Sequence, residues 1–236
     1  MAEPMRIQRA LARAGILSRR KAEELVANGR VTVNGALAQV GQTVDPAKDV
    51  IMVDGTRIDR PMPLEWFVLH KPAGVITSRH DPEGRKTVFD LVPKRPGLTY
   101  VGRLDYLTEG VLLLTTDGAA AHRLTHPSRQ LERTYVASVI GDAEDATEHA
   151  HRGVELEDGV VRPKKFSAKK LGRLRWELTI TIAEGKNREV RRFCEALGLQ
   201  VDRLVRVKFG PVELGDLPLG KVRSLTKVEM KALEKL

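Results

Sequence analysis

Residues 102–118 read GRLDYLTEGVLLLTTDG in one-letter code and say more about the fold than any other stretch of the chain. The apolar run from Val111 to Thr115 predicts a buried strand, and a second strand is predicted just before the stretch. Asp105 lies between the two, flanked by Leu104 and Leu107. A carboxylate beside apolar neighbours loses hydration, which costs free energy unless a cation or hydrogen bonds compensate. Such a position is typical of a working acid, base or nucleophile.

Asp105 also has a simpler interpretation. Aspartate often begins turns, and its side chain can accept a hydrogen bond from the backbone a few residues on, here at Thr108. From the residues alone, a catalytic group and a turn-forming residue both remain open.

Other strands are predicted on both sides of this stretch, and helices are fewer. The chain therefore has an α+β pattern with mainly antiparallel, mixed sheet. Helices are predicted over residues 187–197 and after a capping box formed by Thr226 and Glu229. The strands are predicted at residues 66–69, 98–102, 135–140 and 175–182.

Two short helices and a hairpin are predicted at the N-terminus. Apolar residues recur at helical spacing between residues 6 and 14, and a second helix is predicted over residues 19–28 with Ser18 as its N-cap. A strand over residues 31–33 then enters Asn34-Gly35, which supplies the positive φ angles that a two-residue hairpin needs.

The charge of the 236-residue chain favours a polyanionic partner, because 40 Lys and Arg stand against 31 Asp and Glu for a net charge of +9. Only 4% of residues are aromatic, which argues against a tandem stacking platform for single strands. The second helix begins with Arg19, Arg20 and Lys21, although a helix N-terminus prefers acids. A bound anion would relieve this mismatch; a solvated basic face is the alternative.

Several classes of site are excluded by residue usage. The single cysteine, Cys194, rules out an internal disulfide and is predicted to be a core residue. His122 and His126 have i, i+4 spacing without a glutamate between them, so no metal site is predicted. No Walker-type glycine loop implies ATP or GTP. No signal peptide or apolar run of about 20 residues is present, so a cytoplasmic protein without membrane insertion is predicted.

The prolines between residues 59 and 64 predict a short stiff linker. We therefore predict two domains, an N-terminal module over residues 1–62 and a larger domain over residues 63–236.

The N-terminal module resembles the RNA-binding module named after ribosomal small-subunit protein four. The residues that carry the resemblance are Leu11-Ala12-Arg13-Ala14-Gly15, Ser18-Arg19-Arg20, Ala27-Asn28-Gly29-Arg30-Val31 and Val33-Asn34-Gly35. The resemblance implies that RNA is contacted by Arg9, Arg13, Arg19, Arg20 and Lys21.

The larger domain resembles RNA pseudouridine synthases of the bacterial RsuA/RluB/RluE/RluF family. Residues 102–118 are similar to the signature of that family, and three other stretches agree with its motifs in the same order. These are residues 69–77, where His70 replaces a common asparagine, residues 132–135, where Arg133 replaces a usual lysine, and residues 184–192. The last stretch, followed by Leu197-Gly198-Leu199, is closest to the RluB branch.

The resemblance implies isomerisation of uridine to pseudouridine in ribosomal RNA, with large-subunit RNA favoured, by an essential aspartate and no cofactor. Asp105 is that aspartate by motif, and acts as a nucleophile on the sugar or base, or as a base in a glycal route. Tyr135 would pack against the target base, and Arg191 would supply the cation that offsets the buried carboxylate. Arg103 would enter the RNA helix beside the displaced uridine.

Further expectations concern the partner. Lys71, Lys186 and Arg188 in the matching motifs are predicted to contact RNA, which is ribosomal RNA or a ribosome-assembly intermediate. The protein is expected to be a monomer without a small-molecule cofactor. Arg206 and Lys208 alternate with apolar residues, which indicates either a basic strand face that follows the RNA backbone or a solvated face.

Each of these residues also has a purely structural alternative. Tyr135 would be a half-buried strand tyrosine, Arg191 a surface arginine on a helix, and Arg103 a partner in an ion pair. For the whole protein, the alternative is a non-catalytic RNA-binding ribosome-assembly factor on the same scaffold. Binding to a membrane surface has little support because no apolar helix face is available to insert.

Overall fold

The computed structural model describes residues 4–14, 19–58 and 64–236. The chain divides into two compact units. Unit 1 comprises residues 1–66, 94–99 and 115–119, and unit 2 comprises residues 67–93, 100–114 and 120–236. The predicted boundary between residues 62 and 63 lies outside the described residues and stays a prediction, as does the linker over residues 59–64, of which the structure describes only Leu64.

Unit 1 contains the two helices and the hairpin expected from the N-terminal sequence. Asn34 and Gly35 have φ angles of 53° and 85°, which confirms the predicted two-residue turn. The predicted N-cap, Ser18, lies outside the described residues. The elements are β1 (Met5–Arg6), α1 (Ile7–Arg13), α2 (Arg19–Ala27), β2 (Val31–Val33), β3 (Ala36–Leu37), β4 (Thr43–Val44), β5 (Ile51–Val53) and β6 (Thr56–Arg57).

The core of unit 1 forms where the apolar faces of these helices meet the small sheet. Strands pair in the order β3-β2-β5-β6, all antiparallel, and β1 pairs with β4. Burying each aliphatic side chain of such a core contributes about 1.5–3 kcal/mol. The fully or nearly fully buried residues include Ile7, Ala10, Leu11, Ala22, Val26 and Val31.

Unit 2 is built on a mixed sheet with helices attached to it. Among the described residues, its strands are ordered β13-β14-β10-β15-β9-β7-β17, with β8 pairing β9 and β16 pairing β15. Strands β11 and β12 form a separate hairpin. The strands are β7 (Trp66–Lys71), β8 (Thr99–Val101), β9 (Thr108–Thr115), β10 (Arg133–Ile140), β11 (Val154–Leu156), β12 (Gly159–Val161), β13 (Lys165–Lys170), β14 (Arg175–Ile182), β15 (Gln200–Phe209), β16 (Val212–Glu213) and β17 (Val222–Ser224).

The helices of unit 2 are α3 (Gly118–Thr125), α4 (Ala146–Arg152), α5 (Glu189–Ala196) and α6 (Lys227–Glu234), with two short 3-10 helices at Val88–Asp90 and Pro127–Arg129. The capping box at Thr226 and Glu229 is confirmed at the start of α6. Cys194 is buried on α5 as predicted, and burial raises the pKa of its thiol to about 12. A thiol with so high a pKa is a poor nucleophile at neutral pH.

The sheet is mainly antiparallel, which confirms the α+β expectation. Strand β10 pairs antiparallel with both β14 and β15, whereas β15 pairs with β9 in parallel. The parallel pair brings Gly110 directly opposite Arg206. The prediction missed α3, α4 and the edge strand β13.

A β-bulge in β15 corrects the prediction that Arg206 and Lys208 share a basic face. Thr134 pairs with Lys208 while Tyr135 pairs with Arg206, so one extra residue, Val207, is inserted in β15. The extra residue resets the alternation, so Arg206 and Phe209 both become buried. Lys208 instead forms an exposed ion pair, and the two cations do not form a common RNA-facing surface.

No helix within residues 4–14, 19–58 and 64–236 has the length and apolar character needed to cross a bilayer.

Candidate active site

The turn between β8 and β9 carries Asp105. The backbone N–H of Thr108 donates to the carbonyl oxygen of Asp105 at 3.0 Å, so the turn is closed by the main chain and not by the predicted side-chain cap. The half-buried carboxylate accepts no hydrogen bond in the part of the chain that the structure describes. The side chain is therefore available to a ligand.

Lys71, at the end of β7, supports this turn through hydrogen bonds to its backbone. Its side chain is fully buried, and its Nζ donates to the carbonyl oxygens of Asp105 (3.1 Å), Tyr106 (3.4 Å), Thr108 (2.9 Å) and Pro72 (3.0 Å). A buried ammonium group occupied in this way cannot reach an RNA phosphate. The predicted RNA contact of Lys71 is therefore replaced by a supporting role for the Asp105 turn.

Two further groups from residues 69–77 hold the same turn in place. The hydroxyl of buried Thr77 donates to the carbonyl oxygen of Leu104 at 2.8 Å and accepts from the N–H of Leu104 at 3.3 Å. The N–H of Gly74 donates to the carbonyl oxygen of Tyr106 at 2.9 Å. Residues on both sides of Asp105 are thus fixed, which pre-organises the carboxylate.

Arg191, on α5, is the cation that residues 184–192 bring to the turn. It is 6% exposed, so the surface-arginine alternative is wrong, and its Nη2 donates to the carbonyl oxygen of Leu107 at 2.9 Å. Burial lowers the pKa of the Arg191 guanidinium, neighbouring Arg188 adds to this effect, and the negative charge of Asp105 opposes it. Asp105 is thus within electrostatic reach of Arg191.

The neighbouring arginine, Arg192, takes no part in the site. Its guanidinium donates two hydrogen bonds, both of 2.8 Å, to the carboxylate of Asp158. This agrees with the expectation that adjacent helix residues point about 100° apart.

Tyr135 and Arg133 lie two residues apart on β10. Tyr135 is buried and Arg133 lies with its guanidinium 5.5 Å from the centroid of the Phe209 ring. Burial lowers the pKa of Arg133, and Tyr135 opposes this shift. Arg133 also donates to the carbonyl oxygen of Ala183 at 3.1 Å, which ties β10 to the segment before α5.

The segment before α5 is shaped by Glu189. Its carboxylate accepts from the backbone N–H groups of Gly185 (2.8 Å) and Lys186 (2.9 Å). Burial raises the pKa of Glu189, whereas these two hydrogen bonds oppose the shift. Arg188 has a φ of 48°, a left-handed conformation uncommon for its residue type, and its side chain lines the cleft.

These elements enclose a cleft of about 290 Å³ within unit 2, lined by Asp105, Tyr135 and Arg191 together. The structure therefore brings together all three residues predicted to be catalytic. The cleft is strongly basic. Its other charged lining residues are Arg103, Arg133, Glu184, Lys186, Arg188, Glu189 and Arg206.

The residues predicted to contact RNA in unit 2 fall in different places. Arg103 is exposed at the cleft rim, which fits its predicted role, and Arg188 is also exposed there, 3.5 Å from Glu195. Lys186 pairs with Glu184 at 2.9 Å. Lys71 lies outside the cleft lining and is buried.

In unit 1, Arg20 and Lys21 are exposed in the first turn of α2, which has no acidic residue. Arg9 forms an ion pair with Asp117 at 3.3 Å, and burial lowers the pKa of Arg13. The side chain of Arg19 lies outside the described part of the structure.

The supporting roles of Lys71 and Thr77, and the buried position of Arg206, were missed from the sequence. The signal available for Lys71 was its place in a strand that begins with the apolar run from Trp66 to Leu69, because such a run indicates a strand buried on both faces.

Replacing Lys71 with Met is expected to lower the rate of the reaction about 100-fold, because the Asp105 turn loses its anchor and small misplacements of reacting groups have effects of that size. Stability should fall by roughly 1–3 kcal/mol, since buried carbonyl oxygens lose their donor. Urea unfolding and a single-turnover assay of wild type, Lys71→Met and exposed Lys227→Met measure both effects. An unchanged rate in Lys71→Met contradicts the anchoring role.

The same variant has a characteristic pH dependence. Burial lowers the pKa of Lys71 from 10.5 to about 8, with Asp105 and Glu109 opposing. Between these values the unfolded chain binds more protons than the folded chain, so the stability contributed at Lys71 increases as pH rises from about 8 to 10.5. The unfolding free energy of wild type relative to Lys71→Met should rise across that window. If the difference in unfolding free energy between the two proteins does not change with pH, the lowered pKa of buried Lys71 is contradicted.

Comparisons with known proteins identify the family of both units. Residues 65–196 match the family model described as RNA pseudouridylate synthase, and residues 5–51 match that of the S4 domain. Ribosomal large subunit pseudouridine synthase B of Bacillus subtilis (strain 168) is 41% identical, over 98% of this chain and 96% of that protein. The protein of the same name from Escherichia coli (strain K12) is 43% identical, over 98% of this chain and 82% of that protein.

Among solved structures, one described as a crystal structure of pseudouridylate synthase is 29% identical, with a TM-score of 0.64 over 97% of this chain and 99% of that chain. The cleft with Asp105, Tyr135 and Arg191 lies in the part of the chain that these relatives share. The chain belongs to the RNA pseudouridylate synthase family and carries an S4 domain at its N-terminus.

Proposed function

We propose that the protein converts a uridine of ribosomal RNA, in the large subunit, to pseudouridine. The observation that carries the proposal is the carboxylate of Asp105, which accepts no hydrogen bond from the described residues and lies in a basic cleft beside Tyr135 and Arg191. The names of the relatives support large-subunit RNA as the substrate. The non-catalytic assembly factor is not favoured, because such a factor has no use for a fixed, unpaired carboxylate.

The reaction breaks the bond between uracil N1 and ribose C1′, turns the base and joins C5 to C1′. Because the product is an isomer of the substrate, no electrons or atoms are supplied from outside, and the chemistry requires no cofactor. Asp105 attacks the sugar or base, or removes a sugar proton. Arg191 and Lys71 place positive charge near its carboxylate.

The size of the cleft supports action on one extracted nucleotide. A volume of about 290 Å³ is at the lower end of the range for small-molecule sites and cannot admit a helix. Extraction costs a few kcal/mol in a paired region. Tyr135 offers a ring for the uracil to lie against, and exposed Arg103 at the rim is placed to fill the space left in the RNA helix.

We also propose that the S4 domain binds RNA through phosphates, that the protein acts as a monomer and that it works in the cytoplasm, where ribosomal RNA is made and folded. The exposed cations Arg20 and Lys21 at the start of α2 support phosphate contacts, because the helix N-terminus itself attracts anions. Arg9 and Arg13 lie beside each other on α1 and extend the basic region.

Arg20→Gln is expected to weaken RNA binding at low salt and to reduce the slope of log K against log salt by about 0.7–0.9, the loss of one phosphate contact. Arg57→Gln, an exposed arginine on β6 of the same unit, serves as the matched control and should leave the slope unchanged. Filter binding of a ribosomal RNA fragment between 50 and 300 mM salt, on the order of the range where such slopes are measured, gives both values. Equal slopes for wild type and Arg20→Gln remove Arg20 from the phosphate contacts.

The proposed function is tested with purified protein and ribosomal RNA from cells that lack the gene. Large-subunit RNA, small-subunit RNA and ribosome-assembly intermediates are incubated separately, and pseudouridine is mapped by its stable carbodiimide adduct. Conversion of a defined uridine in large-subunit RNA is expected. Conversion in small-subunit RNA alone contradicts the substrate assignment, and conversion in neither RNA nor in assembly intermediates favours the binding factor.

A further inference from the structure

Arg206 has hydrogen-bonding capacity that the folded chain does not use. The residue is 2% exposed, and its Nε donates to the carbonyl oxygen of Val111 at 2.8 Å. Its Nη2 is buried and, within the described residues, has no hydrogen-bond partner. Because an unpaired buried guanidinium N–H is costly, it points to an acceptor that arrives with a ligand.

Arg206 lies in the cleft that contains the residues predicted to be catalytic. It lines the same cleft as Asp105 and pairs across the sheet with Tyr135, to which its Cα is directly opposed. The bulge at Val207 places Arg206 on this buried side together with Phe209, whose ring centroid lies 4.9 Å from the guanidinium carbon. Bulges commonly re-aim a side chain next to an active site.

The carboxylates that line the cleft do not pair with Arg206. The charge of Asp105 acts on Lys71 and Arg191, and the charge of Glu189 acts on Arg133. No carboxylate among the described residues accepts a hydrogen bond from Arg206. Nη2 of Arg206 therefore keeps an N–H that an acceptor oxygen of a ligand in the cleft can take up.

We propose that Nη2 of Arg206 donates a hydrogen bond to a carbonyl oxygen of the extracted uracil and stabilises the negative charge on the base when the N1–C1′ bond breaks. This inference rests on the proposed function. A base lying against Tyr135 has its edge at the neighbouring strand, where Arg206 stands. The exposed arginines at the rim, Arg103 and Arg188, are the ones accessible to the phosphates.

The step balances without a further reactant. The electron pair of the N1–C1′ bond remains on the base, where N1, C5 and the carbonyl oxygens share it. At C1′ the broken bond is replaced by an ester bond to Asp105 or, in the glycal route, by a double bond to C2′ after Asp105 has removed the sugar proton. An electron pair at C5 then forms the new bond to C1′, and the ester releases the carboxylate of Asp105 or the glycal regains its proton. C5 loses its proton and N1 gains one from solvent. The donor acts on charge that develops only as the bond breaks, so it accelerates the chemical step more than it tightens binding.

Arg206→Gln is expected to lower the single-turnover rate about 100- to 1000-fold, as removal of a donor to a developing oxyanion does, with the Kd for RNA changed less than about threefold. Arg206→Lys should recover part of the rate. Arg203→Gln, on the same strand but paired with Glu109 outside the cleft lining, is the matched control and should keep the wild-type rate. The substrate is a large-subunit RNA fragment that the wild type converts.

A second measurement identifies the contacted atom. The target uridine is replaced by 2-thiouridine or 4-thiouridine, since sulfur is a weaker acceptor than oxygen. One of the two substitutions should slow the wild type, and the same substitution should have a smaller effect on Arg206→Gln. This coupling is the signature of a direct contact, which a merely structural residue lacks.

Three outcomes overturn the inference. The first is a single-turnover rate for Arg206→Gln within about threefold of wild type. The second is weaker RNA binding with an unchanged rate, which indicates a phosphate contact, and the third is an equal effect of sulfur substitution in both proteins. If Arg206→Gln does not fold, Arg206→Lys and the sulfur series on the wild type carry the test, and absence of any sulfur effect overturns the inference. If the wild type converts no RNA, the proposed function fails and the inference falls with it; an active wild type with an equally active Arg206→Gln refutes the inference alone.

Discussion

Asp105→Asn is expected to lower the rate of pseudouridine formation by about 10⁴-fold or more, the scale of loss when an essential nucleophile is removed. Asparagine has nearly the same shape as aspartate, so the turn held by Lys71 and Thr77 should keep its geometry. What is lost is the charged carboxylate, which is needed for a nucleophile or a base alike. The measurement is single-turnover conversion of a large-subunit RNA fragment with enzyme in excess.

RNA binding should survive this change. Removing a negative charge from a basic cleft favours a polyanion, so the Kd of Asp105→Asn should equal or fall below that of the wild type. Asp216→Asn, at an exposed aspartate outside the cleft lining, is the matched control and should retain full activity. A rate for Asp105→Asn within about tenfold of wild type is incompatible with the assigned role.

Gly110→Ala is expected to destabilise the protein by about 4 kcal/mol or more, or to prevent folding. Gly110 has a φ of 109°, and a Cβ added there would lie 2.1 Å from the carbonyl oxygen and 2.6 Å from the nitrogen of Arg206. Both are backbone atoms of the paired strand, so no side-chain rotation relieves the overlap. The glycine therefore permits the close approach of β9 and β15 beside the Asp105 turn.

Gly118→Ala provides the matched control. A Cβ at Gly118 meets nothing within 4 Å, and the residue begins α3, where alanine is the better helix former. Its unfolding free energy should stay within about 1 kcal/mol of wild type. Urea denaturation of wild type, Gly110→Ala and Gly118→Ala gives the three unfolding free energies. If Gly110→Ala is as stable as Gly118→Ala, strands β9 and β15 can move apart without loss of stability, and the close approach is not required.

The sequence was sufficient to predict strands in which apolar and polar side chains alternate, and turns or helix ends that contain residues with particular backbone or capping preferences. The hairpin at Asn34-Gly35 and the capping box at Thr226 follow from local chemistry, and both were confirmed. Edge strand β13 was missed because its alternation is short: only Phe166 and Ala168 are apolar and partly buried, and the other residues of the strand are exposed.

Arg206 shows a different limit of sequence analysis. Simple alternation in β15 placed Arg206 with Lys208, but the bulge at Val207 moves Arg206 to the buried side. A bulge depends on the pairing of two distant strands, here β10 and β15, and no local pattern in either strand announces it.

The grouping of Asp105, Tyr135 and Arg191 was predicted by resemblance to a family and not by spacing. Their positions are far apart in the chain, and only the fold brings the turn before β9, strand β10 and helix α5 to one cleft. The burial of Lys71 likewise required the fold, because its four carbonyl acceptors come from residues 72 to 108.

The most direct test of the central claim is a pseudouridine map of ribosomal RNA from three strains: one with the gene deleted, one restored with wild type and one restored with Asp105→Asn at equal expression. We predict that deletion removes pseudouridine at one position of large-subunit RNA, that wild type restores it and that Asp105→Asn does not. Restoration by Asp105→Asn, or a map left unchanged by the deletion, would contradict the account.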